Sequence, residues 1–132
     1  MGHPDNLDPS CLFCRWIRSQ TAVDTFGTVA AFHDGNPVTD GHLLIVPRRH
    51  TADWLSMTAK EVRDSETLMR RLVENIRRHD PSVTGFNLGM NIGESAGQTV
   101  FHAHIHLIPR REGDTDSPKG GVRGVIDGKR TY

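Results

Sequence analysis

Hydrophobic and polar residues alternate strictly from Val100 to Ile108, along the sequence VFHAHIHLI. A period of two is typical of a β-strand with one face on a core, because successive side chains point to opposite faces. His102, His104 and His106 are therefore expected to share one face of a strand, with neighbouring histidines roughly 6.5–7 Å apart. A row of imidazoles at this spacing could hold a metal ion, attack a phosphate, or do both.

Helical periodicity follows a capping signature in the middle of the chain. Thr58 and Glu61 stand three residues apart, as in a capping box. The apolar residues that then recur at helical spacing are Val62, Met69, Leu72, Val73 and Ile76. The pattern predicts one long helix from Thr58 to about His79, ended by Asp80-Pro81.

Shorter segments surround this helix. Residues 11–18 predict a short helical turn, and strand-like runs occupy residues 21–25, 28–32, 41–47 and 85–92. The small, polar loop 93–99 joins the last run to the histidine run, which predicts an antiparallel pair. We expect one loop-rich α+β domain over residues 11–111, with a loose arm (residues 1–10) and a tail that wraps the surface (residues 112–132).

Composition narrows the range of partners. The chain of 132 residues carries 16 basic and 16 acidic residues, and this balance does not favour nucleic acid or membrane surfaces. Apolar runs are too short for a membrane helix, and residues 1–10 do not resemble a secretory signal, so a cytoplasmic protein is expected. In that compartment, Cys11 and Cys14 predict half of a zinc site or a redox pair.

The loop and the histidine run together indicate phosphate chemistry. Glycines in the loop 93–99 let the backbone approach an anion, and Gln98 and Thr99 add donors, although an ordinary flexible hairpin loop would have a similar composition. A neutral imidazole is a good nucleophile near pH 7 and could form a phosphoramidate. A second histidine could bind the transferring phosphate or protonate the leaving oxygen.

The segment from Gly97 to Arg110 resembles the signature of the histidine triad (HIT) family, His-φ-His-φ-His-φ-φ, where φ is apolar. Further similarity lies in the sequences CLFC (residues 11–14), AFHD (31–34) with Pro37 and Gly41-His42, IVPRRH (45–50), and in Asn91. The resemblance spans roughly residues 11–111.

The resemblance implies a HIT-like α+β fold, namely a mainly antiparallel five-stranded sheet with one long helix and a short N-terminal helix, usually paired into a homodimer. It implies that His104 is the nucleophile and that His106 contacts the phosphate. Asp34 would hold the ribose hydroxyls. The other substrate-binding residues would be Leu12, Phe13, His33 and Gly35 around the base and sugar, and Asn91, Gln98 and Thr99 along the phosphate channel. His42 is interpreted as structural.

The resemblance also supplies partners for the cysteines. Some members bind structural zinc through residues that match Cys11, Cys14, His50 and His102, and no organic cofactor is expected. Such a closed set of two thiolates and two imidazoles is typical of structural zinc. The alternative is that both cysteines are simply small buried residues.

The implied activity is that of a nucleotide hydrolase or nucleotidyl transferase. It would act at the α-phosphate of dinucleoside polyphosphates, of the diadenosine type, or of nucleoside phosphoramidates, through a nucleotidyl-histidine intermediate. Two alternatives remain: a regulatory nucleotide-binding module with little catalysis, and a metal-dependent hydrolase built on His102, His104 and His106. The expected partners are a nucleotide and a second copy of the chain.

Overall fold

The computed structural model describes residues 7–132, so most of the predicted arm lies outside the described residues. The main elements of the described part are α1 (Leu12–Ser19), β1 (Asp24–Phe26), β2 (Val29–His33), β3 (Leu43–Pro47), α2 (Ala59–His79), β4 (Val83–Gly89) and β5 (Ile105–Arg111). Short 3-10 helices follow at Trp54–Ser56, Glu94–Ala96 and Gly121–Val125. Within residues 7–132, no helix is both long and apolar enough to cross a bilayer.

The described strands form one antiparallel sheet in the order β1-β2-β3-β5-β4. β3 and β5 are neighbours in the sheet although α2 and β4 lie between them in sequence, so β5, which carries His106, lies between the central strand β3 and the edge strand β4. The predicted α+β fold, with its five strands, long helix and short N-terminal helix, is confirmed. β1 and β4 form the two edges of this sheet.

Both faces of the sheet are covered, which explains why β2 and β3 are almost continuously apolar. On one face, α2 packs Leu68, Met69 and Leu72 against alternate residues of the strands. On the other face, α1 and the residue before it contribute Phe13 and the two cysteines to a second cluster. A strand buried on both faces loses the polar alternation of a half-exposed strand.

The predicted capping box begins α2. The Glu61 amide N–H donates to the Thr58 hydroxyl over 3.0 Å, and the Thr58 amide N–H donates to the Glu61 carboxylate over 2.8 Å. Arg49 donates two further hydrogen bonds to the same carboxylate, at 2.9 and 3.1 Å. The helix start is therefore tied to the segment that leaves β3 and carries His50.

The histidine strand begins later than the alternation predicts. β5 starts at Ile105, and His102 and His104 lie in the irregular segment before it. Phe101 is 48% exposed whereas His102 is fully buried, so the expected faces are reversed there. The Ala103 amide N–H donates to the carbonyl of Thr51 instead of a neighbouring strand. The three histidines therefore do not share one strand face.

Candidate functional site

His104 lies directly before β5 with one ring nitrogen bound to the backbone. Its Nδ1–H donates to the carbonyl oxygen of His102 over 2.8 Å, since a carbonyl oxygen only accepts. A neutral imidazole carries one N–H, so Nε2 keeps a free lone pair. The ring of Phe13 packs edge-on against this imidazole, with centroids 4.8 Å apart. His104 thus presents an oriented nucleophilic nitrogen.

In His106 the proton lies on the other ring nitrogen, and a hydrogen bond from His42 determines this. The Val38 amide N–H donates to His42 Nδ1 over 3.1 Å, which places the His42 proton on Nε2. That Nε2–H donates to His106 Nδ1 over 2.9 Å. The neutral ring of His106 therefore carries its proton on Nε2, where it can donate. His42, which the sequence analysis interpreted as structural, positions one of the proposed catalytic groups.

The environment keeps both rings neutral near pH 7. Burial lowers the pKa of His104 below its ordinary value. Burial also lowers the pKa of His106, and the neighbouring His104 and His42 lower it further. Their ring centroids lie 5.3 Å apart. The pair therefore combines a lone pair and an N–H donor within reach of one phosphoryl group, without a charge on either ring.

Asp34 lies beside this pair. Its Oδ2 lies 4.0 Å from His106 Nδ1 and 3.4 Å from His42 Nε2. The remaining predicted base and sugar residues lie on α1, at the end of β2 and in the turn that follows it. Leu12 is exposed on α1, Phe13 is buried, His33 is exposed at the end of β2, and Gly35 follows in the turn near Trp16. Their contacts with a nucleotide stay predictions.

Hydrogen bonds within the loop 93–99 stabilise its conformation. The amide N–H groups of Ala96, Gly97 and Gln98 donate to carbonyls within the loop, so these three groups are not free to bind the anion that the loop composition predicts. The buried Gln98 side-chain amide donates to the carbonyls of Ala52 and Val100 and accepts from the Gly93 amide N–H. A phosphate contact from Gln98 would have to replace one of these bonds.

The other two residues predicted for the phosphate channel lie at this loop. Asn91 is half-buried, and its side chain lies 3.6 Å from the position that a Cβ on Gly97 would take. Thr99 is exposed. Both positions are compatible with a phosphate contact, which stays a prediction.

The four predicted metal ligands converge. One ligand atom from each of Cys11, Cys14, His50 and His102 lies within 4.8 Å of all the others. The Cys14 Sγ lies 3.2 Å from His50 Nδ1, and both sulfurs lie 3.5 Å from His102 Nδ1. His102 Nε2–H donates to the Pro47 carbonyl over 2.7 Å, so Nδ1 keeps its lone pair for a metal.

The chemistry of this donor set fits zinc. Two thiolates and two imidazoles satisfy a tetrahedral zinc ion, with sulfur and nitrogen bonds of about 2.0–2.3 Å. Burial raises the pKa of the Cys14 thiol to about 11 and lowers the pKa of His102 to about 4. His102 is thus already deprotonated near pH 7, whereas a metal must displace the thiol protons. His102 faces the cysteines, so the three histidines of the run do not converge on one catalytic metal.

A cavity of about 440 Å³ opens beside His106, and the tail forms part of its wall. Asn91 lines it, together with apolar residues of the sheet and Val122 and Val125 of the tail. From the sequence, the tail was expected only to wrap the surface. The apolar residues around Val122 could have indicated that this part of the tail packs against the domain. The sequence has no periodicity that would show which surface it packs against.

The comparisons with known proteins agree with this geometry. The HIT domain model matches residues 18–113. An uncharacterised HIT-like protein of Mycoplasma genitalium is 34% identical over 111 residues, which cover 81% of this chain and 77% of that protein. The adenosine 5'-monophosphoramidase of Saccharomyces cerevisiae is 32% identical over 117 residues, which cover 85% of this chain and 70% of the yeast protein.

Solved structures show the same fold. A HIT family protein from Bacillus anthracis superposes with a TM-score of 0.74 at 37% identity, over 80% of this chain and 77% of its own. A zinc-bound histidine triad family protein from Mycobacterium smegmatis has a TM-score of 0.74 at 32% identity, over 82% of this chain and 80% of its own. This chain belongs to the HIT domain family.

Proposed function

We propose that this protein is a nucleotide hydrolase or nucleotidyl transferase that works through a nucleotidyl–His104 intermediate. The observation that carries the proposal is the hydrogen bond from His104 Nδ1 to the His102 carbonyl, which leaves Nε2 as a lone-pair donor beside the N–H of His106. The yeast relative is an adenosine 5'-monophosphoramidase, which supports a nucleotide substrate.

The reaction takes two displacements at the α-phosphorus. His104 Nε2 forms a bond to phosphorus, and the bond to the leaving group breaks with its electron pair. A polyphosphate leaves as the anion, whereas an amine nitrogen takes up a proton from solvent as its P–N bond breaks. His106 Nε2–H donates to a phosphoryl oxygen, where negative charge resides in the loose transition state. Water then forms the new P–O bond, and its proton passes to solvent. The P–N bond breaks, its electron pair returns to Nε2, and a nucleoside monophosphate is released.

The substrate is a dinucleoside polyphosphate or a nucleoside phosphoramidate, with adenosine preferred. Asp34 would hold the ribose hydroxyls, because its carboxylate lies beside the reacting pair at 4.0 Å from His106 Nδ1. The predicted base and phosphate contacts described above complete the binding site. A cytoplasmic location belongs to the same proposal, since a reducing compartment keeps the paired thiols of Cys11 and Cys14 available.

The test is replacement of the nucleophile. His104→Ala is expected to lower turnover of adenosine phosphoramidate by about a thousandfold or more, because the covalent route is lost, while nucleotide binding stays measurable. Mass spectrometry of the quenched wild-type reaction should find a nucleotidylated peptide that contains His104. His79→Ala, at the exposed end of α2, is the matched control. Wild-type turnover by His104→Ala would disprove the assignment, and a protein that binds nucleotide without turnover would be a regulatory module.

Zinc is proposed as the occupant of the four-ligand cluster, in a structural role. When bound, it supplies a cross-link between α1, the segment after β3 and the segment before β5. We expect about one zinc per chain in purified protein, and a Cys11→Ser/Cys14→Ser variant should lose it. Metal analysis that finds no zinc, together with freely titratable thiols, would remove this proposal.

A homodimer is proposed through the face formed by α2 and β4. A groove of about 690 Å³ runs along this face, with Trp54, Met69, Val73 and Leu88 among its apolar lining, and β4 is an edge strand of the sheet. An exposed apolar groove beside a free strand edge favours a second copy that pairs across a two-fold axis.

Light scattering at micromolar concentration tests the dimer. The wild-type mass should be twice that of the chain. Trp54→Glu should give a monomer, because it places a charge in the groove. Leu55→Glu is the matched control, since Leu55 is the neighbouring residue, is 71% exposed and lies outside the lining. A monomeric wild-type protein would contradict the proposal.

A further inference from the structure

Cys11 and Cys14 lie together at the start of α1. Cys11 caps the helix, and its sulfur accepts a hydrogen bond from the Cys14 amide N–H over 3.5 Å. Both cysteines are free thiols, and their sulfurs lie within 4.8 Å of each other. Cysteines separated by two residues at a helix start are a common arrangement for a reversible disulfide. Side-chain rotation can therefore bring the two sulfurs to bonding distance with little movement of the backbone.

Cys14 borders a recess that a small oxidant can enter. The recess has a volume of about 210 Å³, and its other lining residues are Asp8, Pro9, Arg15 and Arg18. Since one water molecule takes about 30 Å³ in the liquid, the recess has room for hydrogen peroxide. Its volume is below the range of pockets for drug-sized ligands, so it favours a small oxidant over a bulky disulfide.

The two cysteines are also two of the four proposed zinc ligands, so zinc binding and disulfide formation exclude each other. Zinc takes cysteine as the thiolate, which is also the form that attacks an oxidant. Once the sulfurs are joined, His50 and His102 alone remain of the four ligands. Two imidazoles do not complete the tetrahedral set of a structural zinc site, and the ion leaves.

His102 connects this cluster to the proposed nucleophile. Its ring nitrogen Nδ1 lies 3.5 Å from each sulfur, and its carbonyl oxygen accepts from His104 Nδ1–H over 2.8 Å. Phe13, which lies between the two cysteines in sequence, packs edge-on against both of these imidazoles. A displacement of α1 or of His102 therefore alters the contacts that orient His104.

We propose that Cys11 and Cys14 are a redox switch, in which hydrogen peroxide joins them in a disulfide, expels the zinc and lowers turnover. This inference rests on the proposed zinc site and, for turnover, on the proposed function. It unites the two interpretations of the Cys-x-x-Cys motif, because the motif is a metal site when reduced and a redox pair when oxidised.

The oxidation takes two steps. The Cys14 thiolate attacks one peroxide oxygen, the O–O bond breaks, and Cys14 becomes a sulfenic acid while hydroxide leaves. The Cys11 thiolate then attacks the Cys14 sulfur, the S–O bond breaks, and a second hydroxide leaves. Solvent protonates both hydroxides to water, so the two thiolates have lost two electrons and the peroxide has gained them. A dithiol reductant reverses the oxidation by thiol–disulfide exchange.

The experiment treats zinc-loaded wild-type protein with a small excess of hydrogen peroxide. A colorimetric zinc indicator should show about one zinc released for each disulfide, since one ion is held by each pair of thiolates. Mass spectrometry should find the peptide that carries both cysteines lighter by two hydrogens. Turnover of adenosine phosphoramidate should fall at least about fivefold, because a displaced nucleophile loses its attack geometry. Dithiothreitol and zinc should restore it.

Cys14→His is the matched variant, because it keeps a zinc ligand but cannot form the disulfide. It should retain zinc in peroxide and lose no turnover. An equal loss of turnover in this variant would show that peroxide acts on another residue, and would overturn the switch as a control of catalysis.

The zinc and mass measurements on wild-type protein decide the proposal even if the variant does not fold. Zinc that stays bound in peroxide, or a disulfide that forms without zinc release, would overturn the switch. Absence of turnover before peroxide is added would instead count against the proposed function, and the zinc and disulfide measurements would still decide the switch.

Discussion

At the scale of single residues, two backbone groups determine which ring nitrogen carries the proton in His104 and in His106. The carbonyl of His102 accepts a hydrogen bond from His104 Nδ1–H, and the amide N–H of Val38 donates to His42 Nδ1, which leaves the His42 proton on Nε2, facing His106. The two rings consequently hold their protons on different nitrogens. A hydrogen bond that fixes the tautomer determines whether a given nitrogen of a neutral histidine can attack as a nucleophile or donate a hydrogen bond. The pKa of the ring alone does not determine this.

The depressed pKa of His104 predicts the acid limit of activity. His104 must be neutral to attack, and burial favours its neutral form, so protonation in the folded protein occurs below pH 6.5. We expect kcat/KM to be level around pH 7 and to fall only as the pH drops through this lowered pKa. A profile from about pH 5 to 8 tests this, with His79→Ala as a variant whose profile should not change. An acid limb at or above pH 6.5 would contradict it.

At the scale of elements, the start of α2 holds the segment that carries the metal ligand His50. Glu61 caps the helix and accepts two hydrogen bonds from Arg49, although it is buried. Arg49 and Thr58 lower the pKa of this carboxyl against the opposing effect of its burial. The capping box was predictable because it is local in sequence. The contact with Arg49 was not, since it joins two elements 12 residues apart.

Thr58→Ala is expected to lower the free energy of unfolding by about 1 kcal/mol, the usual effect of losing an N-cap. The hydroxyl that accepts from the Glu61 amide N–H is lost, and the first turn of α2 loses this cap. Urea unfolding followed by circular dichroism measures the change. Thr67→Ala, at an exposed position in the same helix, should leave stability equal or slightly higher. Equal losses in both variants would show that the cap is unimportant.

At the scale of the whole molecule, the metal-binding cluster joins three segments that are far apart in sequence. The cysteines lie at the start of α1, His50 follows β3, and His102 precedes β5. Phe13 packs edge-on against both His102 and His104, so the cluster is in contact with the nucleophile. Binding energy at the cluster therefore contributes both to folding and to the placement of His104.

Metal removal should therefore destabilise the protein. A ligand present at about a hundredfold above its dissociation constant adds roughly 2.7 kcal/mol to the free energy of unfolding. We expect a strong chelator to lower the unfolding temperature of the wild-type protein by several degrees, and added zinc to restore it. Cys14→Ser should already unfold at the lower temperature and should not respond to the chelator. An unfolding temperature in the wild type that is independent of chelator would contradict a structural metal.

The sequence alone was sufficient for the elements with local signals, namely the capped helix α2, the turn-bounded strands and the family signature around His104. These depend on periodicity and on residues close together in the chain. The family resemblance had grouped His102 with the cysteines, but only the tertiary structure decided that His102 lies away from the expected common face of the three histidines, that His42 orients His106, and that the tail borders the active site. Each of these depends on single hydrogen bonds or on packing between distant segments. Neither kind of contact produces a periodic pattern of residues in the sequence.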